Sequence, residues 1–171
     1  MRAPDYAEPF RAWRVWRVVR RDRGYYLGSV VQRTVWPAGE AFTAECLRMP
    51  TMFSRLRRRQ RHESPEADCD CGIYAASLER LDHYLADAPL RAVARVLGQV
   101  ALWGTVIECE NGFRASHAYP LRIYVPADAG GPWRIGWDEV AGGLVSYGVP
   151  VEPLAARAAE ATRHLHDRQA A

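Results

Sequence analysis

Three thiols and one imidazole gather in one stretch of this chain, at Cys46, His62, Cys69 and Cys71. Their spacing is Cys-x15-His-x6-Cys-x-Cys. Thiolate sulfur and imidazole nitrogen are the donors that a tetrahedral zinc ion takes, and four of them complete its shell. Alternate residues of an extended segment face the same way, so Cys69 and Cys71 can address one centre. Gly72 lets the backbone turn close to the sulfurs. A shell closed by four protein ligands is structural, because catalysis needs an open position. Such a clip would contribute directly to folding. Two alternatives stand beside it. Cys109 could replace His62 as a ligand, or the thiols are small buried hydrophobes and His62 belongs to a solvated loop.

The second chemical feature is a run of arginines at Arg55, Arg57, Arg58, Arg59 and Arg61. Guanidinium binds phosphate and carboxylate bidentately, so the run suits nucleic acid or an acidic protein surface. The opposing reading is a solvated loop neutralised by Glu63, Glu66, Asp68 and Asp70. Glu108 and His117 lie on two predicted strands and could approach as an acid–base pair. No Gly-x-Ser-x-Gly, P-loop or dinucleotide fingerprint is present, so the expectation leans away from an enzyme. Six tryptophans are expected mainly in the core, Trp16 or Trp13 together with Trp103 foremost. An aromatic-lined pocket on the sheet, with or without catalysis, is the alternative function.

The elements that must position these residues are mainly strands. Residues 11 to 19 are β-branched and aromatic, but they alternate imperfectly. A turn at Arg21-Asp22-Arg23-Gly24 leads into a second strand, expected over Tyr25 to Trp36. Ala41 to Leu47 is expected as a short third strand with Cys46 at its end. Residues 49 to 68 form the irregular arginine-rich loop, with a short helix around Thr51 to Gln60 as an option. Ser77 to Ala86 has leucines at helical spacing behind a candidate N-cap. Val96 to Glu108 and Gly112 to Val125 form a long hairpin, with Asn111-Gly112 as the turn signal. Gly98 and Gly104 signal bulges. Pro120 ends or bulges the second arm. Trp133 to Ser146 is compatible with short strands or a short helix around Asp138 to Ala141. The tail over 151 to 168 has a thin apolar stripe and is expected as a helix.

At 171 residues the chain is expected to be one domain, with residues 1 to 9 a loose tail. Apolar residues make up 49% and charged residues 25%, enough for a core and too few charges for wholesale disorder. All 23 basic residues are arginine, which fits a GC-rich genome. Residues 1 to 62 carry 14 arginines and 5 acids, a net +9; residues 63 to 171 carry 9 and 15, a net −6. That asymmetry marks either a face for an acidic partner or two halves that pair with each other. No apolar run is long enough to span a bilayer, and arginines interrupt any leader-like stretch. The expected compartment is the cytoplasm, where thiols stay reduced and favour metal over disulfides.

The segments Trp36-Pro37, Cys69 to Ala75 with Cys46 and His62, Val96-Leu97-Gly98 through Trp103-Gly104, and Ala118-Tyr119-Pro120 resemble a group of bacterial proteins from GC-rich genomes. The resemblance spans roughly residues 11 to 125. It implies a single bacterial cytoplasmic domain, and no activity goes with it. The sequence thus predicts an α+β fold: a curled, mainly antiparallel sheet, two flanking helices and a metal-clipped loop. The function expected is a non-enzymatic, zinc-stabilised binding or adaptor module.

Overall fold

The computed structural model describes residues 8–22, 24–46, 62–81, 94–126 and 136–154. Its elements are β1 (Phe10–Arg21), β2 (Gly24–Ser29), β3 (Phe42–Thr43), β4 (Ile73–Ala75), β5 (Ala94–Cys109), β6 (Gly112–Val125), α1 (Trp137–Leu144) and β7 (Val151–Pro153). One seven-stranded sheet joins the strands in the order β2-β1-β5-β6-β3, with β4 and β7 also paired to β6. All pairings are antiparallel except β6 with β7.

The long β5–β6 hairpin is the spine. Cys109 pairs with Gly112 across a two-residue turn, as the Asn111-Gly112 signal predicts. Two register shifts bend it, between Gln99 and Val100 and between Trp103 and Val106. At the first, Val100 pairs with Pro120 while Gln99 pairs with Arg122, so Pro120 sits where the ladder is already broken. At the second, Gly104 has φ +73, and a Cβ there would lie 2.3 Å from Ser116 Oγ. Only glycine fits that bulge. The Ser116 hydroxyl replaces the lost rung, accepting from Thr105 N at 3.0 Å and donating to Trp103 O at 3.3 Å. The bend is strong enough that Ala76, one residue past β4, exchanges two 2.9 Å hydrogen bonds with Trp13 of β1.

Both faces of the sheet are covered, which explains the imperfect alternation in β1. Ala12, Trp16 and Val18 enter the main core with Leu27, Trp36, Val96, Val100, Leu102 and Ile123. Val15 points the other way, into a smaller cluster with Leu81, Leu97 and Tyr124. The Trp16 and Trp36 rings meet edge to face at 5.3 Å, and Trp36 stacks on Phe42 at 4.9 Å. Trp103 departs from expectation. It is half-buried and stacks on His117 at 6.0 Å, on the side of β5 that faces away from the main core.

Other departures have clear causes. β2 ends at Ser29, because the chain turns back at once. Thr34 O accepts from Ser29 N at 3.0 Å, and Trp36 N donates to Leu27 O at 2.8 Å. That reversal buries Trp36. Among the described residues there is one α-helix, not two. The predicted helix over Ser77 to Ala86 begins as a single 3-10 turn, Leu78–Arg80, and residues 82–86 lie outside the described residues. The predicted C-terminal helix starts instead as a strand. β7 pairs in parallel with Ile123 to Val125, and Pro150 O accepts from Ile123 N at 2.9 Å. Open edge groups on β6 outweigh a weak helical stripe there. Its remainder, 155–168, lies outside the described residues. No described helix is long and apolar enough to cross a membrane.

α1 packs Val140, Ala141 and Leu144 on the main core. The 3-10 turn that follows, Val145–Tyr147, delivers Tyr147 to its centre. The Tyr147 hydroxyl donates to Trp36 O at 2.7 Å and accepts from Leu27 N at 2.8 Å. Tyr119 donates to Tyr147 O at 2.7 Å and accepts from Gly39 N at 2.8 Å. Two tyrosines thus lock the 36–39 loop to the sheet and to α1.

Trp16→Ala should cost about 3–5 kcal/mol in chemical denaturation, and Trp103→Ala clearly less, since only Trp16 is fully shielded. Equal losses would contradict this placement of the two rings. Burial pushes the Tyr147 phenol up to about 12 from 10.0. The neutral phenol is therefore the form that folding favours. Its contribution is complete below pH 10 and fades as the pH rises through about 12. Tyr147→Phe should flatten that alkaline decline and cost about 1–3 kcal/mol at neutral pH, because two buried backbone groups lose their partner. Melting curves across that pH range check both.

Candidate metal centre

The edge of β6 that faces away from β5 receives three short strands in succession. β4 covers Phe113 to Ala115, β3 covers His117 to Ala118, and β7 covers Ile123 to Val125. Ala44 extends β3 by one more bond, its N–H donating to Ser116 O at 2.7 Å. The chain leaving β3 and the chain entering β4 therefore meet at the same point on one edge. Neither can continue along it, so both peel away from the sheet. Cys46 lies two residues beyond Ala44, and Cys71 lies two residues before Ile73.

Where they peel away, one donor atom from each of Cys46, His62, Cys69 and Cys71 lies within 4.8 Å of every other. Cys46 Sγ and Cys69 Sγ are 3.8 Å apart, and His62 Nε2 is 3.3 Å from Cys71 Sγ. The sulfurs are free thiols, since a disulfide requires a separation of about 2.05 Å. A tetrahedron with metal–sulfur bonds of about 2.3 Å has sulfur–sulfur edges of about 3.8 Å. The four residues lie close enough, with suitable donors, to hold a metal ion. Cys69 and Cys71 are buried; Cys46 and His62 are partly exposed.

The local sequence explains the shape of the loop. Cys69 N donates to Glu66 O at 3.1 Å, closing a turn before the thiols. Gly72 has φ +123, and a Cβ there would sit 3.0 Å from the Pro65 Cβ and 3.1 Å from the Arg114 Cβ. Burial pushes the Cys69 thiol up from its ordinary value. Burial acts the same way on Cys71, but the Ser64 hydroxyl, His62, the Glu66 backbone N–H and Cys69 together outweigh it and hold that thiol at about 7.

Sequence reasoning named the four residues that the fold brings together and missed the residue that holds their loop. Arg114, on β6, is buried beneath the loop. Its Nη1 donates to the carbonyls of Cys69, Cys71 at 3.2 Å and Glu66 at 3.3 Å. Its Nε donates to Cys109 Sγ at 3.1 Å. Burial alone would weaken its hold on the proton. Contact with Cys109, Tyr74 and Cys71 more than offsets this and keeps the guanidinium charged. Cys109 is thus engaged with Arg114 and stands outside the four-residue group. The signal available in the sequence was one arginine between Phe113 and Ala115, in a strand whose edge carries the cysteines.

The five arginines at 55, 57, 58, 59 and 61 lie outside the described residues. Glu108 is exposed; His117 turns to Thr43, with Nδ1 3.2 Å from the Thr43 hydroxyl, and stacks on Trp103. No protein-family model, curated protein or solved structure matches this chain.

Elemental analysis should find one metal ion per chain. Cys69→Ser and Cys71→Ser should each lose it and lower the melting temperature, while Cys109→Ser keeps it. Metal loss in Cys109→Ser, or full metal in Cys71→Ser, would contradict this ligand set. Arg114→Met should weaken metal affinity by about 10–100-fold, because it releases the carbonyls that hold the ligand loop. Competition with a chromogenic chelator measures that change.

Proposed function

We propose that this chain is a non-enzymatic binding module, stabilised by structural zinc and engaging a polyanion through its arginine-rich segment. Zinc is the metal that three thiolates and an imidazole in a tetrahedron suit best. Four protein ligands leave no position for substrate, so the ion's role is to hold the chain. Three thiolates around a divalent cation leave one net negative charge, and Arg114 stands beside it as the compensating cation.

The observation that carries the proposal is which segment the ligands bracket. Cys46 and His62 lie together in space. The 15 residues between them include six arginines and no acid. A metal held by both residues ties together the ends of a strongly basic segment. Tying the ends lowers the cost of ordering that segment on a partner. Arg55, Arg57, Arg58, Arg59 and Arg61 are the groups that would meet phosphates. Nucleic acid is the partner favoured, since its phosphates repeat at a spacing that several guanidinium groups can engage together.

The test is binding to duplex DNA, single-stranded DNA and RNA over a salt series. Affinity should fall steeply with salt, because displaced counterions drive much of the binding. Replacing Arg57, Arg58 and Arg59 together by Ala should weaken binding and reduce the salt slope by about one unit for each phosphate that is no longer neutralised. Melting temperature and metal content should stay the same. Absence of binding at low salt, or indifference to the triple change, would overturn the reading. Binding to an acidic protein but to no nucleic acid would move the partner to that class.

A further inference from the structure

A second feature lies at the edge of β1, at Arg14 and Val15. β1 is paired by β2 from Trp16 onward and by Ala76 at Trp13, which leaves a gap in the edge at Arg14 and Val15. A cleft of about 1380 Å³ opens there and runs on to the cysteine loop, where Cys46, Cys69 and Cys71 also line it. On the side that Arg14 faces, Val35 and Phe42 give it apolar walls, and Arg14, Ser29 and Thr34 are its polar groups.

Arg14 is the anomaly. It is a partly buried cation, and among the described residues no carboxylate pairs with it. Its neighbours are neutral: Nη1 donates to Tyr74 O, Nη2 donates to Ser29 Oγ at 3.2 Å, and the guanidinium lies over the Trp36 ring at 5.2 Å. Its Nε is shut off from solvent and donates to nothing. Burial pulls its pKa down to about 10, so the fold holds this charge at a cost. Ser29 completes the pattern. Its buried hydroxyl accepts from Arg14 and from Thr34, the latter at 2.7 Å, which leaves its own proton to give. The acids that line the cleft, Glu45, Asp70 and Glu110, are exposed, and none of them is paired with Arg14.

We infer that this cleft binds a small carboxylate with an apolar body, its carboxyl group held by Arg14 and Ser29. Arg14 Nη2 and Ser29 Oγ lie 3.2 Å apart, close enough to address one acceptor group together. A planar carboxylate matches the guanidinium fork and supplies the missing countercharge. The aliphatic and aromatic walls select an apolar remainder, as small-molecule sites commonly do. The site is separate from the polyanion reading, and either can fail alone.

The experiment uses the full chain with its metal bound. Sodium octanoate and sodium benzoate are titrated by calorimetry, against sodium chloride and sodium phosphate at equal ionic strength. Saturable one-to-one binding of at least one carboxylate is expected. Arg14→Met, which keeps the packing of the stem, should weaken it by about tenfold or more. Ser29→Ala should weaken it several-fold while metal content holds, and it decides the matter if Arg14→Met does not fold. No saturable binding of either carboxylate, phosphate binding as tightly as the carboxylates, or affinity unchanged in Ser29→Ala would each overturn the inference.

Discussion

A strand edge can pair with only one partner at each position, and that constraint on β6 organises this protein. Alternate residues along the fourteen of β6 present N–H and C=O groups on the side away from β5. Left open, they would be a template for unwanted pairing. Three short segments divide the edge among themselves, and two of them arrive at neighbouring positions. One ends near Ser116 and the other begins at Ala115. The chain on either side must leave the sheet there, carrying Cys46 on one branch and Cys69 and Cys71 on the other. The four-donor group is thus a consequence of how the edge is shared.

Segments that leave a sheet give up their ladder hydrogen bonds and need other partners. Arg114 supplies several at once. From a rigid strand position it donates to three carbonyls of the ligand loop and to the Cys109 sulfur. One long, planar, multiply donating side chain replaces a stretch of backbone pairing that the loop cannot make. Its charge also suits a centre built from thiolates. The same residue therefore answers a packing demand and an electrostatic one, and that links the stability of the loop to the placement of the four-donor group.

One buried and one partly buried arginine show how charge is treated differently in one small fold. Arg114 sits among sulfurs and carbonyls that hold its proton. Arg14 sits beside a hydroxyl, a carbonyl and an indole face, with no countercharge among the described residues. The first belongs to a structure complete in itself once a metal is present. The second is a charge for which the described residues supply no counterpart.

Local chemistry was readable from the sequence. The soft-donor set Cys46, His62, Cys69 and Cys71 was legible because thiol and imidazole in a short stretch have few other common uses. The β5–β6 hairpin, its turn and its two bends were legible because glycine and proline act through their own backbone geometry. Matters of partnership were not. Whether 151–153 formed strand or helix depended on unmet hydrogen bonds at Ile123 to Val125, some 28 residues away in register. That Trp16 is fully buried and Trp103 half-buried depended on which side of the sheet α1 and the Trp36 reversal cover. Arg114 looked like any strand arginine until the cysteine loop was laid across it. Residue type and spacing fix what a side chain can do; only the tertiary structure decides what it meets, because burial, countercharge and edge pairing come from residues far away along the chain.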